Sequence, residues 1–430
     1  MLFSVKRNDL LCVGITILMG ILSNFGETFV NTLAIWIFVY SLLKLFTTKN
    51  NIFIILELFM LIYAIVPIIY FIVGASISPY QHLDYDNYKN MVSVLQIQSV
   101  FVVVFLSFAP IDTEFSFSNI IVPRRQLFSW AITAFLMVIS LLFVNWRSVS
   151  VYFRGSYSIE TESSIIFDYF MIFVVVNRFF CDAKWQKRLN MILTIIVSFV
   201  CVMIGKRLTA ITNLLLIYIL DFNGKIKKRT LIWIAAIGIL VFNSIQFTRV
   251  GQIPTILNVL TGITIEHGVY RGNSCDVWYA SEVIYKLIDT GVFDWTFRIK
   301  SFLGTFLNSF LTTSLTPKEA LVNVYITENA LFPYTANGGL IGVSTYLWLG
   351  YAGVVLFAII ICRIIKEGFK SYNMFKTLYA MLVLATFPRW YTYNPRILFK
   401  FAFVAVMIFA FVKLFSRTDL DNDIARETTK

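Results

Sequence analysis

MILTIIVSFVCVMIGKRLTAITNLLLIYIL, residues 191–220, is predominantly apolar and carries two cations, Lys206 and Arg207, at its middle. A membrane-crossing helix needs about 20 residues, and this run holds roughly 30. The simplest solution is two short helices that meet at a mouth, with Gly205-Lys206-Arg207 at the turn. Cations kept inside an apolar run are costly, and that cost marks them as functional candidates.

The rest of the chain agrees with this reading. Mean hydropathy is +0.76, 58% of the residues are hydrophobic and 14% are charged. Several further runs are long enough to span a bilayer, which a soluble domain of this length would not show. A β-barrel would show alternating segments of about ten residues instead. The fold class is therefore all-α and polytopic. The net charge of +12 belongs to loops that face anionic lipid, not to a nucleic-acid surface, because no basic helix or stacking module accompanies it. Cys12, Cys181, Cys201, Cys275 and Cys362 are scattered, without a CxxC pair, so no disulfide framework is expected. His82 and His267 are too far apart to suggest a zinc site. Residues 1–25 resemble a signal peptide but lack a small-residue cleavage site, so they are read as the first retained span.

About twelve spans are predicted, at approximately 10–25, 29–46, 52–75, 91–109, 128–145, 165–180, 190–204, 208–221, 231–247, 338–362, 375–388 and 397–415. An even number puts both termini on one side. One set of loops holds Lys6/Arg7, Lys44/Lys49, Arg124/Arg125, Arg178–Arg188, Lys225–Arg229, Arg363–Lys376 and the polar tail 416–430. More than half of the 36 cations lie there, so this side, with both termini, is cytoplasmic.

The other side holds the turn Asp84-Tyr-Asp86 and a long stretch, 248–337, between the ninth and tenth spans. Residues 253–263 and 295–311 of that stretch are amphipathic enough to lie on a membrane surface. Lids and binding loops are common occupants of such stretches, and a plain cap is the alternative. The chain is otherwise a single integral-membrane domain over 1–430, without internal repeats.

No phosphate-binding loop, zinc-protease or kinase signature occurs. The candidates are arginines on the outer side: Arg154 in Tyr152-Phe-Arg-Gly-Ser-Tyr157, Arg207, and Arg389 and Arg396, which bracket Trp390, Tyr391 and Tyr393. A guanidinium is always charged and offers a planar fork of donors that fits phosphate or carboxylate. One arginine beside a span end is most simply anchored to lipid headgroups; four at one mouth point to an anionic ligand. Trp390 and Tyr393 suit either an interfacial belt or a flat platform for sugar rings. Glu57 and Asp168, inside spans, suit a proton relay or a structural role.

In this order the segments resemble the Wzy-type polymerases of O-antigen and related oligosaccharide repeat units. The likeness rests on Phe153-Arg154-Gly-Ser156-Tyr157-Ser158, on Gly205-Lys206-Arg207, and on Thr335-Ala336-Asn337-Gly-Gly-Leu340-Ile341-Gly342 leading into a span with Gly350 and Gly353. Its fourth element is Pro388-Arg389 with Arg396 before the last span.

The resemblance implies an enzyme of the bacterial inner membrane whose long loop is periplasmic. Its substrate would be an undecaprenyl-pyrophosphate-linked oligosaccharide, and the growing glycan would pass from its carrier to an incoming lipid-linked unit. The sugar–pyrophosphate bond already holds the activation energy, so no cofactor and no metal is expected. Preorganised cations would stabilise the departing pyrophosphate, a role for Arg207, Arg389 and Arg396 assisted by Lys206. Arg154 would hold the second lipid-linked substrate or an acidic sugar, with Arg271, Trp390, Tyr393 and Asn337 as further substrate contacts. His267, four residues before Arg271, is the candidate general base; Glu266, Asp276 and Glu328 compete with it. The partners implied are the lipid-linked glycan, membrane lipids and a polysaccharide chain-length regulator, with no nucleic acid. The alternatives are a lipid-linked oligosaccharide flippase, an O-antigen ligase and a non-catalytic envelope assembly protein. Ligases often carry a histidine where Ala336 precedes Asn337, which weighs against that variant.

Overall fold

The computed structural model describes residues 7–77, 88–111, 127–142, 164–181, 183–203, 207–222, 225–249, 255–266, 269–310, 315–331, 338–370 and 373–415. From the N-terminus the helices are α1 (Arg7–Leu22), α2 (Glu27–Thr47), α3 (Asn51–Ala64, followed by a π-helical turn Ile68–Ile72), α4 (Tyr88–Phe108), α5 (Leu127–Leu142) and α6 (Ser164–Phe179). Then come α7 (Lys184–Met203), α8 (Arg207–Leu220) and α9 (Lys228–Arg249). The stretch between the ninth and tenth expected spans holds α10 (Ile256–Thr261), a small antiparallel hairpin of β1 (Thr264–Glu266) and β2 (Val269–Arg271), α11 (Asn273–Asp289), α12 (Trp295–Leu307) and α13 (Val322–Glu328). The last elements are α14 (Ile341–Lys370), α15 (Met374–Ala385), α16 (Phe387–Thr392) and α17 (Ile397–Phe415).

Every segment expected to span contains a helix. The run 191–220 divides between α7 and α8, as its length requires. Among the described residues five helices are long and apolar enough to cross a membrane: 27–47, 51–72, 88–108, 184–202 and 341–369. The protein is an all-α membrane protein on that ground. Asparagine side chains cap the first turns of two of these helices. The Oδ1 of Asn50 accepts from Ile52 N at the start of α3, and that of Asn373 from Phe375 N at the start of α15.

The chain's cation-rich loops meet one another. Lys44 bonds Asp9 at 2.7 Å, and Arg178 bonds Asp221 at 3.1 Å. The Lys228 ammonium donates to the carbonyls of Leu45, Phe46 and Thr48, the unpaired end of α2, where a cation is also favoured by the helix dipole. At the other ends of the helices, Tyr270 N donates to Ser76 O, and Gln96 Nε2 to Gly20 O and Asn24 Oδ1.

α4 is the central post, buried along nearly all of its length. α14 lies along it, and Gln98 of α4 donates to the Tyr391 hydroxyl of α16 at 2.8 Å. α14 also packs closely on α15. A Cβ on Gly368 would run into Ala380 Cβ and come within 2.8 Å of Lys376 O. Gly368→Ala is therefore expected to lower stability by about 2 kcal/mol, as overpacking does. Thermal denaturation of the purified protein checks it: an unchanged midpoint would contradict this packing.

α5 to α8 form a second, smaller cluster around Phe170, Val174, Val197 and Ala210. Its seam is polar. Asn190 donates to Val174 O and Asn177 Oδ1, Asn177 donates to Trp130 O and Thr133 Oγ1, and Thr194 and Ser198 continue the row along α7. The opposite face of α7 carries Trp185, Leu189, Ile192, Ile196 and Phe199, all exposed. A helix that buries amides and exposes large apolar side chains is inverted relative to a soluble one, as a lipid-facing helix must be.

The outer stretch departs from expectation in one respect. α10 and α12 are helices at the expected places, but α11, between them, is built into the core. Cys275, Val277, Trp278, Tyr279, Ala280 and Val283 are all buried, and the Trp278 indole donates to Tyr63 O at 2.9 Å. The stretch is therefore not only a surface cover.

Candidate functional site

α14 is broken. Leu349 (φ −134°, ψ 18°) and Gly350 (φ 62°, ψ −154°) leave helical conformation, and the positive φ at 350 is one that glycine adopts without a Cβ penalty. The break deprives the preceding carbonyls of their helical donors. Arg298, from α12, supplies them: its Nε donates to Leu347 O at 2.6 Å and its Nη2 to Tyr346 O at 3.0 Å. The guanidinium also lies 3.9 Å from the centroid of the Trp295 ring. Arg298 is buried, and burial pushes its pKa down. A cation at the C-terminal end of a half-helix is favourably placed, so Arg298 fastens the outer helices to the broken span.

The start of α14 is fixed as closely. Leu340 N donates to Ser281 Oγ, Gly339 N to Thr392 O, and Asn323 Nδ2 to Gly338 O. A Cβ at Gly338 would lie 2.8 Å from Thr392 O, on a backbone with φ +152°. The glycine pair lets the outer stretch lie flat against the end of α16.

Between α12, α13, the start of α14 and the turn 393–396 is a cavity of about 250 Å³, lined by Ser301, Asn323, Ser344, Trp348, Tyr393 and Arg396 among others. Arg396 Nη1 donates to Asn308 Oδ1 at 3.0 Å, while its Nε–H is buried with no acceptor. The Ser301 hydroxyl is also buried without a partner. Buried polar groups are nearly always satisfied, and exceptions concentrate where a ligand or water completes them.

Arg389 is held differently. Its Nη2 donates to Thr209 Oγ1, in the first turn of α8. That turn begins at Arg207, so Arg389 and the backbone of Arg207 come together at the N-terminal end of α8, whose dipole also favours an anion. Thr209 and Asn308 are neutral acceptors. Each bond orients its guanidinium group.

The remaining predicted residues divide as follows. Tyr393 lines the cavity and is half-buried. Trp390 is 0% exposed, packs against Phe105 and Phe387, and donates its indole N–H to Val383 O. That corrects the sugar-platform reading for Trp390: α16 turns it inward as part of the core. Arg207 opens α8 and Arg271 closes β2. Arg154, Lys206, His267 and Asn337 lie outside the described residues. Glu57 is buried and bonded to Thr48, in the cation-rich half of the molecule, away from the arginine mouth; that suits a structural role better than a relay. Glu328 is exposed and bonded to Lys318.

Sequence reasoning missed Arg298, Ser301, Asn308 and Asn323. Arg298 had a legible signal, an arginine one turn after Trp295 on an amphipathic helix. The three neutral residues had none. No protein-family model, no curated protein and no solved structure matches this chain.

Proposed function

We propose that the protein polymerises undecaprenyl-pyrophosphate-linked oligosaccharide units on the periplasmic face of the bacterial inner membrane. The chain crosses that membrane about twelve times, with both termini cytoplasmic and the stretch 248–337 periplasmic. The observation that carries the reading is the meeting of Arg389 with the first turn of α8 through Thr209. It brings an oriented guanidinium to the N-terminal end of α8, where an anion is favoured.

In the reaction the acceptor hydroxyl oxygen attacks the anomeric carbon of the donor glycan. The bond from that carbon to the pyrophosphate oxygen breaks, and its electron pair leaves on the pyrophosphate. Arg389 and Arg207 stabilise the charge that develops there; fixed donors aimed at such charge are worth roughly 10²–10³ in rate each. The proton of the acceptor hydroxyl goes to a base, for which His267 is the candidate. A membrane-bound chain-length regulator is the partner that fits this activity.

The test is the surface-glycan ladder of a strain deleted for the gene. Loss of the ladder with a surviving band of core plus one unit is the expected result. If the single-unit band also disappears, the polymerase reading fails. Carrier-linked units gathered on the inner leaflet would then indicate a flippase, and on the outer leaflet a ligase.

A further inference from the structure

The cavity at Arg396 is chemically distinct from the mouth at Arg389. Among the residues that line it Arg396 is the sole cation, and no carboxylate lines it. Asn308 fixes one edge of the guanidinium through Nη1 and leaves the Nε–H buried and without an acceptor. A guanidinium with one N–H donor unmet can be completed by a planar oxyanion, which it grips through parallel N–H bonds.

The walls carry the rest of a sugar's requirements. Trp348 and Tyr393 contribute aromatic residues to the lining, and Ser301, Asn323 and Ser344 contribute neutral polar ones. At about 250 Å³ the cavity falls below the roughly 300–1,000 Å³ usual for drug-sized ligands, so it takes one ring and not a chain. Charge decides between the anions of a lipid-linked glycan. A pyrophosphate carries more than one negative charge and needs several convergent cations, whereas a carboxylate carries one and is matched by one guanidinium edge.

We propose that this cavity binds a single carboxylate-bearing sugar residue of the glycan, with Arg396 as the carboxylate's partner and the determinant of specificity for it. This rests on the reading that the protein handles a glycan.

The test is calorimetric titration of the full-length protein in lipid nanodiscs with glucuronate, glucose and glucose 1-phosphate. Saturable binding of glucuronate is expected, with glucose at least about tenfold weaker, since a charge-assisted bond is lost. Arg396→Gln is expected to weaken glucuronate by a similar factor. Asn308→Asp keeps an acceptor for Nη1, so the fold is retained, but it places a competing carboxylate on the guanidinium and should weaken glucuronate as well. Glucose binding as tightly as glucuronate, glucose 1-phosphate binding more tightly than glucuronate, or undiminished binding in a folded Asn308→Asp protein would each overturn the assignment. The ladder assay separates the two claims. Normal dependence of the ladder on the gene without glucuronate binding removes the cavity assignment alone. Glucuronate binding without any effect of deletion on the ladder removes the polymerase and leaves an acidic-sugar site.

Discussion

Arg389→Ala is expected to leave the protein in the membrane at normal abundance while reducing polymer by at least about a hundredfold, with single-unit glycolipid retained. The expectation follows from how the residue is held. Its guanidinium donates to the Thr209 hydroxyl, which can turn to its own helix backbone when that donor is lost, whereas the proposed reaction sets the guanidinium charge against the bond that breaks. Arg389→Lys should recover only part of the activity, because an ammonium cannot both bond Thr209 and present a planar fork. Thr209→Val separates orientation from charge: it keeps the cation, frees it to rotate, and should give an intermediate loss. The readout is the glycan ladder beside an immunoblot of the membrane fraction. Full-length ladder in Arg389→Ala would remove the residue from the reaction.

Arg298→Ala should act the opposite way, through the fold. It strips the donors from two carbonyls at the break in α14 and removes a buried cation from the Trp295 ring. Charge-assisted bonds are worth about 1.5–3 kcal/mol, and a buried carbonyl left without a donor is costly in itself. A loss of about 3 kcal/mol is expected, with a lower denaturation midpoint and faster proteolysis within 248–337. Arg298→Lys can meet one carbonyl with its ammonium and should recover part of the loss. A protease pattern identical to that of the wild type would show that the outer helices are fastened elsewhere.

The two arginines differ in how visible they were. Arg389 stood out because it follows an apolar run, on the side that the expected topology leaves poor in cations. Its partner Thr209 did not, because a threonine in an apolar helix most often bonds its own backbone. Trp390 and Tyr393 were grouped as aromatic neighbours, yet the single turn of α16 sends one into the core and the other to the cavity. A helix rotates successive side chains by about 100°, so neighbours three apart share a face only while the helix lasts. The spans were legible because hydrocarbon thickness sets a minimum apolar length. α11 was not, since Asp276, Glu282 and Lys286 interrupt its apolar run. Its burial is bought by tertiary partners such as the carbonyl of Tyr63, which no local pattern encodes.

The polar seam of α5–α8 has a consequence for handling the protein. Within that group of four, α5, α6 and α7 are tied by the amides of Asn177 and Asn190, whose bonds are strongest where nothing competes for them. Hydrocarbon offers no competitor, but the loosely ordered interior of a small detergent micelle admits water. Solubilisation would then weaken this quartet while sparing the greasy contacts around α4. Long-chain surfactants or native lipid discs are the media in which the quartet should stay assembled.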